Sequence, residues 1–395
     1  MKYRAYKYRL YPNNEQKVLI EKHIGSCRFI YNYALAKKVK AYQIDRINLS
    51  RFDIQSDLPK MKRSEEYCWL KEVNSSSLQA SLANLDSAYT KFFREHRRFP
   101  KFKSKKDNKQ SFSVPKNTKV NFENNYVFIP KFKSGIKAKI HRTFEGIVKS
   151  STISRTATGK YFISILVEMN EHNTPMRPIC ENKTVGIDLG IKTFAVISDG
   201  TEIPNPKYLN KSLDKIKKLQ RSLSRKAKGS KNREKSRIKL ALAHEKVVNR
   251  RNNFLHKVTY YLVNNYDTIC LEDLNVKGMV KNHHLAQSLL DISIGAFNTI
   301  LEYKAKERGI NILRIGRFEP SSRLCTCGYI NRSLTLNIRE WVCPECGSIH
   351  DRDLLAANNI KLFALRNINT VGTTEINACG DMSGVTHSAQ ETPNI

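Results

Sequence analysis

The spacing of apolar positions changes period several times along the chain and marks out its elements. The opening YRAYKYRLYP reads as a short basic-aromatic strand stopped by Pro12. Helical text follows, with Asn14 as a candidate cap and Gly25 as a candidate interruption. In SSSLQASLANLDSAYTKFFREHRR the residues Leu78, Leu82, Leu85, Tyr89 and Phe92 share one helical face, and Ser75 to Ser77 are cap candidates. From Ser111 to Glu168 the period falls to two. KVNFENNYVFIP and STISRTATGKYFISILVE read as hairpins of a small antiparallel barrel, which the first strand can join across the helical insertion.

A polar linker, NEHNTPMRPICENK, marks a boundary near residue 180. Beyond it, TVGIDLGIKTFAVISDGTEIPNP predicts three strands. A basic helix is expected from Tyr208 to Asn265, with an apolar stripe of Leu240, Val247, Phe254, Val258 and Leu262. DTICLEDLN is a buried strand, IGAFNTILEYKAKERG a helix, INILRIGRF a strand, and DRDLLAANNIKLFALRN a last helix. Without the cysteine-rich stretch before that helix, the second half runs β-β-β-α-β-α-β-α.

Charge then narrows the class. Lys and Arg number 69 against 36 Asp and Glu in 395 residues, a formal net charge of +33. Such an excess is the footprint of a polyanion binder, and nucleic acid is the expected partner. The segment RFPKFKSKKDNKQSF interleaves cations with Phe, which suits phosphates and bases, although an exposed linker would read the same way. No apolar run approaches the ~20 residues of a membrane-spanning helix, and MKYRAYKYRL lacks the apolar core of a signal peptide. Five scattered cysteines, Cys27, Cys68, Cys180, Cys270 and Cys379, read as small buried hydrophobes of a reduced compartment.

Three acids stand at element ends: Asp188 within VGIDLG, Glu272 at the end of ICLE, and Asp353 at the start of the last helix. A carboxylate in a buried strand is costly unless it is paired or holds a metal. Three of them in this element order point to one site. Oxygen ligands suit Mg²⁺, and two such ions about 4 Å apart can clamp an in-line attack on a phosphodiester. Asp351 is read as a helix cap. Between strand and last helix, CTCGYINRSLTLNIREWVCPEC presents Cys325, Cys327, Cys343 and Cys346 as two pairs, the first one residue shorter than the second.

In order and spacing, YRLYPNNEQ, CRFIYN, RFPKFKSK, GIDLGIKTFAV, LEDLN, PSS with the cysteine pairs, and HDRDLLAANNI resemble the TnpB/OrfB family of bacterial insertion sequences. The resemblance covers nearly the whole chain. It implies a multidomain α+β protein with a ribonuclease-H-like, RuvC-type α/β nuclease domain. A wedge-like antiparallel β-barrel would comprise residues 1–12 and 104–172, with a helical recognition lobe at 13–103. The nuclease domain would comprise 181–324 and 350–366, a zinc-ribbon insertion 325–349, and a disordered tail 367–395.

The implied activity is RNA-guided DNA cleavage by hydrolysis. Asp188, Glu272 and Asp353 would hold two Mg²⁺ or Mn²⁺ ions, and the four cysteines one structural Zn²⁺. The implied partners are a guide RNA from the transposon end and a double-stranded DNA target beside a short recognition motif. A bacterial cytoplasmic, nucleoid-associated protein without a membrane partner is expected, with a monomer favoured. The family pattern has two residues between the first two cysteines, where this chain has one, and Asn two residues after the last acid, where this chain has Leu355. These departures keep open a nuclease-dead or impaired RNA-guided DNA-binding regulator. A transposition accessory DNA-binding protein would not need the acid trio.

Overall fold

The computed structural model describes residues 2–107, 110–170, 174–335 and 337–371. The chain divides into two compact units, Met1–His172 and Asn173–Ile395. Among the described residues no helix is long and apolar enough to cross a membrane.

The first unit is one antiparallel sheet with helices inserted after its first strand. Its elements are β1 (Lys2–Tyr11), α1 (Asn14–Asp45), α2 (Arg51–Gln55), α3 (Asp57–Arg63), α4 (Ser75–Arg94), β2 (Gln110–Val114), β3 (Lys119–Asn121), β4 (Tyr126–Phe128), β5 (Ile136–Lys139), β6 (Ile147–Arg155) and β7 (Tyr161–Met169). The strand order is β2-β6-β7-β1-β5-β4-β3. β1 is therefore central, paired with β7 from Lys2↔Met169 to Leu10↔Tyr161. The expected barrel is instead a curled half-barrel: β2 and β3 end the sheet and are not paired with each other among the described residues.

Three local expectations change. The cap of α1 is Asn13, whose side chain accepts from Gln16 N–H while Gln16 reaches back to Asn13 N–H. Gly25 does not interrupt α1. Its neighbours Ile24, Ser26 and Cys27 are buried, and that burial outweighs the roughly 1 kcal/mol by which Gly disfavours a helix. In α4 the cap is Asn74, not a serine, and Leu78, Leu82 and Leu85 are buried as the stripe requires.

The second unit holds β8 (Thr184–Leu189), β9 (Thr193–Ile197), β10 (Glu202–Pro204), α5 (Leu213–Ser224), α6 (Lys231–Asn265), β11 (Thr268–Glu272), α7 (Val276–Met279), α8 (His283–Ile292), α9 (Ile294–Arg308), β12 (Asn311–Ile315), β13 (Glu340–Val342), β14 (Ile349–Asp351) and α10 (Arg352–Val371). The expected single basic helix is two. Gly229 turns the chain at φ +87°, and the Ser230 hydroxyl caps α6 by accepting from Arg233 N–H at 3.1 Å. The sheet order is β10-β9-β8-β11-β12, with β8, β11 and β12 parallel and β9 and β10 antiparallel. The last helix continues through residues 367–371, where a tail was expected, and residues 372–395 lie outside the described residues, as does Cys379. Cys27, Cys180 and Cys270 are buried as expected, but Cys68 is exposed.

The two faces of this second sheet are covered differently. Ile187 and Leu271 pack with Phe254, Leu255 and Val258 of α6 and Phe297 and Leu301 of α9. Strand alternation turns Gly186, Asp188, Cys270 and Glu272 to the opposite face, where Cys270 packs with Ile360, Phe363 and Ala364 of α10. The crossing of α10 over β8 is so close that a Cβ at Gly186 would lie 2.0 Å from the Ala357 carbonyl oxygen and 2.6 Å from Lys361 N. Both are backbone atoms, so only glycine fits without displacing the helix.

Gly186→Ala should therefore destabilise the second unit by about 3 kcal/mol or more, roughly 6–12 °C in thermal unfolding. Gly295→Ala, in α9 with no atom within 4 Å of the added methyl, should be neutral or stabilising by up to about 1 kcal/mol. Equal unfolding temperatures for the two variants would contradict the packing described.

Candidate active site and cysteine cluster

The parallel register Leu271↔Ile187 brings Glu272 beside Asp188 at the carboxyl ends of their strands, on the face that α10 covers. Asp353 enters from the first turn of α10. All three acids are half-buried. Burial pushes the Asp188 carboxyl up to about 7, and the neighbouring charges of Glu272 and Asp353 push the same way, opposed by Arg352 and Arg339. Glu272 and Asp353 thus stand near enough to Asp188 for their charges to raise its proton affinity. A set of oxygen donors that repel one another fits a divalent cation.

Residues without a sequence signal of their own hold the acids in place. Ser321 Oγ donates to Glu272 Oε1 at 2.7 Å. The Ser321 segment is fixed in turn by Asn359 of α10, whose Nδ2 donates to the Ser321 and Leu324 carbonyls at 2.7 and 2.8 Å. Arg339 Nη1 donates to both oxygens of Asp353, at 2.8 and 2.9 Å. Asp351 does cap α10, accepting from Leu354 N–H at 2.8 Å. PSS was visible as a motif, but the part played by Ser321 was not. Arg339 lies in a stretch without periodicity, so nothing in the sequence marked it.

The four cysteines also meet. Their sulfurs all lie within 4.8 Å of one another. In the longer pair, Gly347 N–H donates to the Cys343 carbonyl at 2.9 Å, across four residues. In the shorter pair, Gly328 N–H donates to the Cys325 carbonyl at 3.0 Å, across three. The missing residue is thus absorbed by a tighter turn. Gly328 and Gly347 take the positive φ angles, +99° and +71°, and no non-glycine residue of either turn does. Cys325 and Cys343 are buried with Leu334, Trp341 and Leu355. Leu355, which departs from the family pattern, therefore belongs to the small core under the cysteines. Donors from the Ser348 hydroxyl and backbone N–H lower the Cys346 thiol to about 6, a thiolate-favouring setting.

Three family models match: a "probable transposase" over residues 164–283, a "helix-turn-helix domain" over 1–46 and a "Cas12f1-like, TNB domain" over 295–360. Residues 1–46 here contain β1 and the single helix α1. A protein of Streptomyces pristinaespiralis, provisionally named as an RNA-guided DNA endonuclease, is 35% identical over 96% of this chain and 91% of its own length. InsQ of Escherichia coli K12, with the same provisional name, is 32% identical over 90% of this chain and 91% of its own. Among solved structures, Cas12f1 in its complex with guide RNA and target DNA superposes with a TM-score of 0.55 at 15% identity, over 88% of this chain and 83% of that one. The mini RNA-guided endonuclease CRISPR-Casφ3 reaches 0.50 at 10% identity, over 92% of each chain. The chain belongs to the OrfB family of IS605 elements, the TnpB family.

The raised carboxyl of Asp188 carries a stability consequence. The folded chain binds that proton more tightly than the unfolded chain, so metal-free stability falls as pH rises from about 4 to about 7. Asp188→Asn should unfold a few degrees higher than wild type at pH 8 in chelator, a gain of about 1–2 kcal/mol after allowance for partial exposure. The gain should vanish near pH 4, and Mg²⁺ should narrow it by stabilising wild type alone. A pH-independent difference would contradict the acid cluster.

Proposed function

We propose that this chain is an RNA-guided DNA endonuclease that hydrolyses phosphodiester bonds at Asp188, Glu272 and Asp353. The observation that carries the reading is the convergence of the three acids on the α10-covered face of the second sheet. The β8-β9-β10, α5-α6, β11, α7-α9, β12, α10 order supports a ribonuclease-H-like, RuvC-type nuclease domain for that unit. The provisional names of the Streptomyces pristinaespiralis and Escherichia coli relatives support a guide RNA and a DNA target. The net charge of +33 suits both polyanions. The first unit would then serve as wedge-like half-barrel and recognition lobe, reading a short motif beside the target.

Asp188, Glu272 and Asp353 would hold two Mg²⁺ or Mn²⁺ ions. When bound, such ions supply Lewis-acid activation of the attacking water and charge stabilisation at the leaving oxygen. The chain's own part is to aim the carboxylates. β8 and β11 fix Asp188 and Glu272 in register, Ser321 turns Glu272, and Arg339 keeps both oxygens of Asp353 at the site. Asp188 would hold such an ion as the carboxylate, its proton given up to solvent water. Cys325, Cys327, Cys343 and Cys346 would hold one structural Zn²⁺, pinning the ribbon that delivers α10. A binding-only regulator or an accessory DNA-binding protein has no use for an Asp188 kept beside two further acids at a cost in stability, so the enzyme is the better reading.

Replacing any one of the three acids by Ala should lower guide-dependent cleavage by at least about 10³-fold while co-purified RNA stays bound. Normal cleavage by the Asp188→Ala protein would remove the assignment. For the ribbon, elemental analysis should find about one zinc per chain, lost in Cys343→Ser. A zinc-free wild-type protein that cleaves normally would show that the cysteine cluster needs no metal.

A further inference from the structure

Each sulfur of the cysteine cluster has a different set of polar neighbours. Cys346 has Ser348, 3.2 Å away through its hydroxyl. Cys327 has the backbone N–H of Tyr329. Both partners come from the sulfur's own turn. The buried Cys325 is served from elsewhere. His350 Nε2 lies 3.0 Å from its Sγ, closer than Thr326 Oγ1 at 3.8 Å or Cys346 Sγ at 3.5 Å. The imidazole is held there by the buried Trp341, with ring centroids 4.8 Å apart, the two residues facing each other across the β13–β14 pair. His350 is thus aimed by a strand pairing and a ring contact, not by the cysteine turns.

We propose that His350 is an outer-sphere member of the metal centre, donating its Nε2–H to the Cys325 thiolate while the four cysteines bind the ion. The inference rests on the zinc reading of those cysteines. Four thiolates on one Zn²⁺ leave a net charge of −2 on the site, and N–H donors to sulfur are what offsets it in a partly buried setting. The shortened Cys325–Cys327 turn has one backbone N–H fewer than the longer pair, and His350 stands 3.0 Å from its buried sulfur. The same residue stands immediately before Asp351, the cap of α10, and three residues before Asp353. The donor that completes the metal centre therefore sits on the chain segment that leads into the active-site helix.

The test uses the full-length protein and two variants. His350→Phe keeps a ring against Trp341 and removes the donor, whereas His350→Gln keeps an N–H. Zinc affinity is read by competition with a chromophoric chelator, and ligand identity by the absorption of the Co²⁺-substituted protein. We expect His350→Phe to bind zinc about 10- to 100-fold more weakly. His350→Gln should recover most of the loss, and the Co²⁺ spectrum should keep its four-sulfur form in all three proteins. Circular dichroism and thermal unfolding of zinc-loaded samples check that the variants fold. Wild-type affinity in His350→Phe overturns the proposal while leaving the zinc reading intact. A wild-type Co²⁺ spectrum of three sulfurs and one nitrogen overturns it by making His350 a ligand. A wild-type protein that binds neither metal overturns both readings.

Discussion

The approach of α10 to β8 at Gly186 is the constraint on which the second unit depends. Backbone meets backbone there, with no side chain as a spacer. That contact sets the depth of the helix over the sheet, and Asp353 rides on the helix while Asp188 stands two residues beyond the glycine on the same face. Interiors are packed too tightly for the helix to drift, so the separation of the two acids follows from one missing methyl. The hydrogen bonds of Asn359 to residues 321 and 324 extend the same arrangement to Glu272 through Ser321.

The acids work against the fold that holds them. Asp188 is half-buried on an otherwise apolar strand beside two further acids, and both the burial and those charges raise its proton affinity. Arg339 and Arg352 moderate it. Arg339 lies between the two cysteine pairs and Arg352 opens α10, and Arg352 N–H also donates to the Arg339 carbonyl at 2.7 Å. The cysteine cluster and the acid cluster therefore adjoin for a physical reason. The segment that the cysteines fold back on itself is the segment that supplies counter-charge to the carboxylates.

Much of this was legible in the residues themselves. Asp188 and Glu272 stood out as acids in apolar strands, and paired cysteines mark a metal-binding pattern wherever they occur. The period-two text of β6 and β7 and the stripe of α6 survive in the structure because burial on one face enforces them. What was not legible depended on contacts across the chain. Gly25 reads as a helix breaker until Ile24 and Cys27 are seen to be buried. Arg339 and Ser321 sit in irregular stretches and His350 in a three-residue strand, where no periodicity tells which way a side chain points. The half-barrel was misread as closed because alternation reports which face is buried, not whether the edge strands meet. The break between α5 and α6 did have a local signal, Gly229 followed by Ser230, which the dense run of cations obscured.

The central place of β1 in the first sheet bears on how the chain is made. Its long partner, β7, emerges from the ribosome about 150 residues later, and β5 more than 120 residues later. At the usual ~5–20 residues per second, β1 waits roughly 6–25 s for its first partner while α1 to α4 form behind it. An unpaired strand carrying Tyr3, Tyr6 and Tyr8 is a template for wrong pairing during that interval. Lys2, Arg4, Lys7 and Arg9, interleaved with those rings, give the nascent strand a charge that repels its copies on neighbouring ribosomes. The basic-aromatic alternation of the first residues would then protect the chain during synthesis before it takes any part in binding nucleic acid.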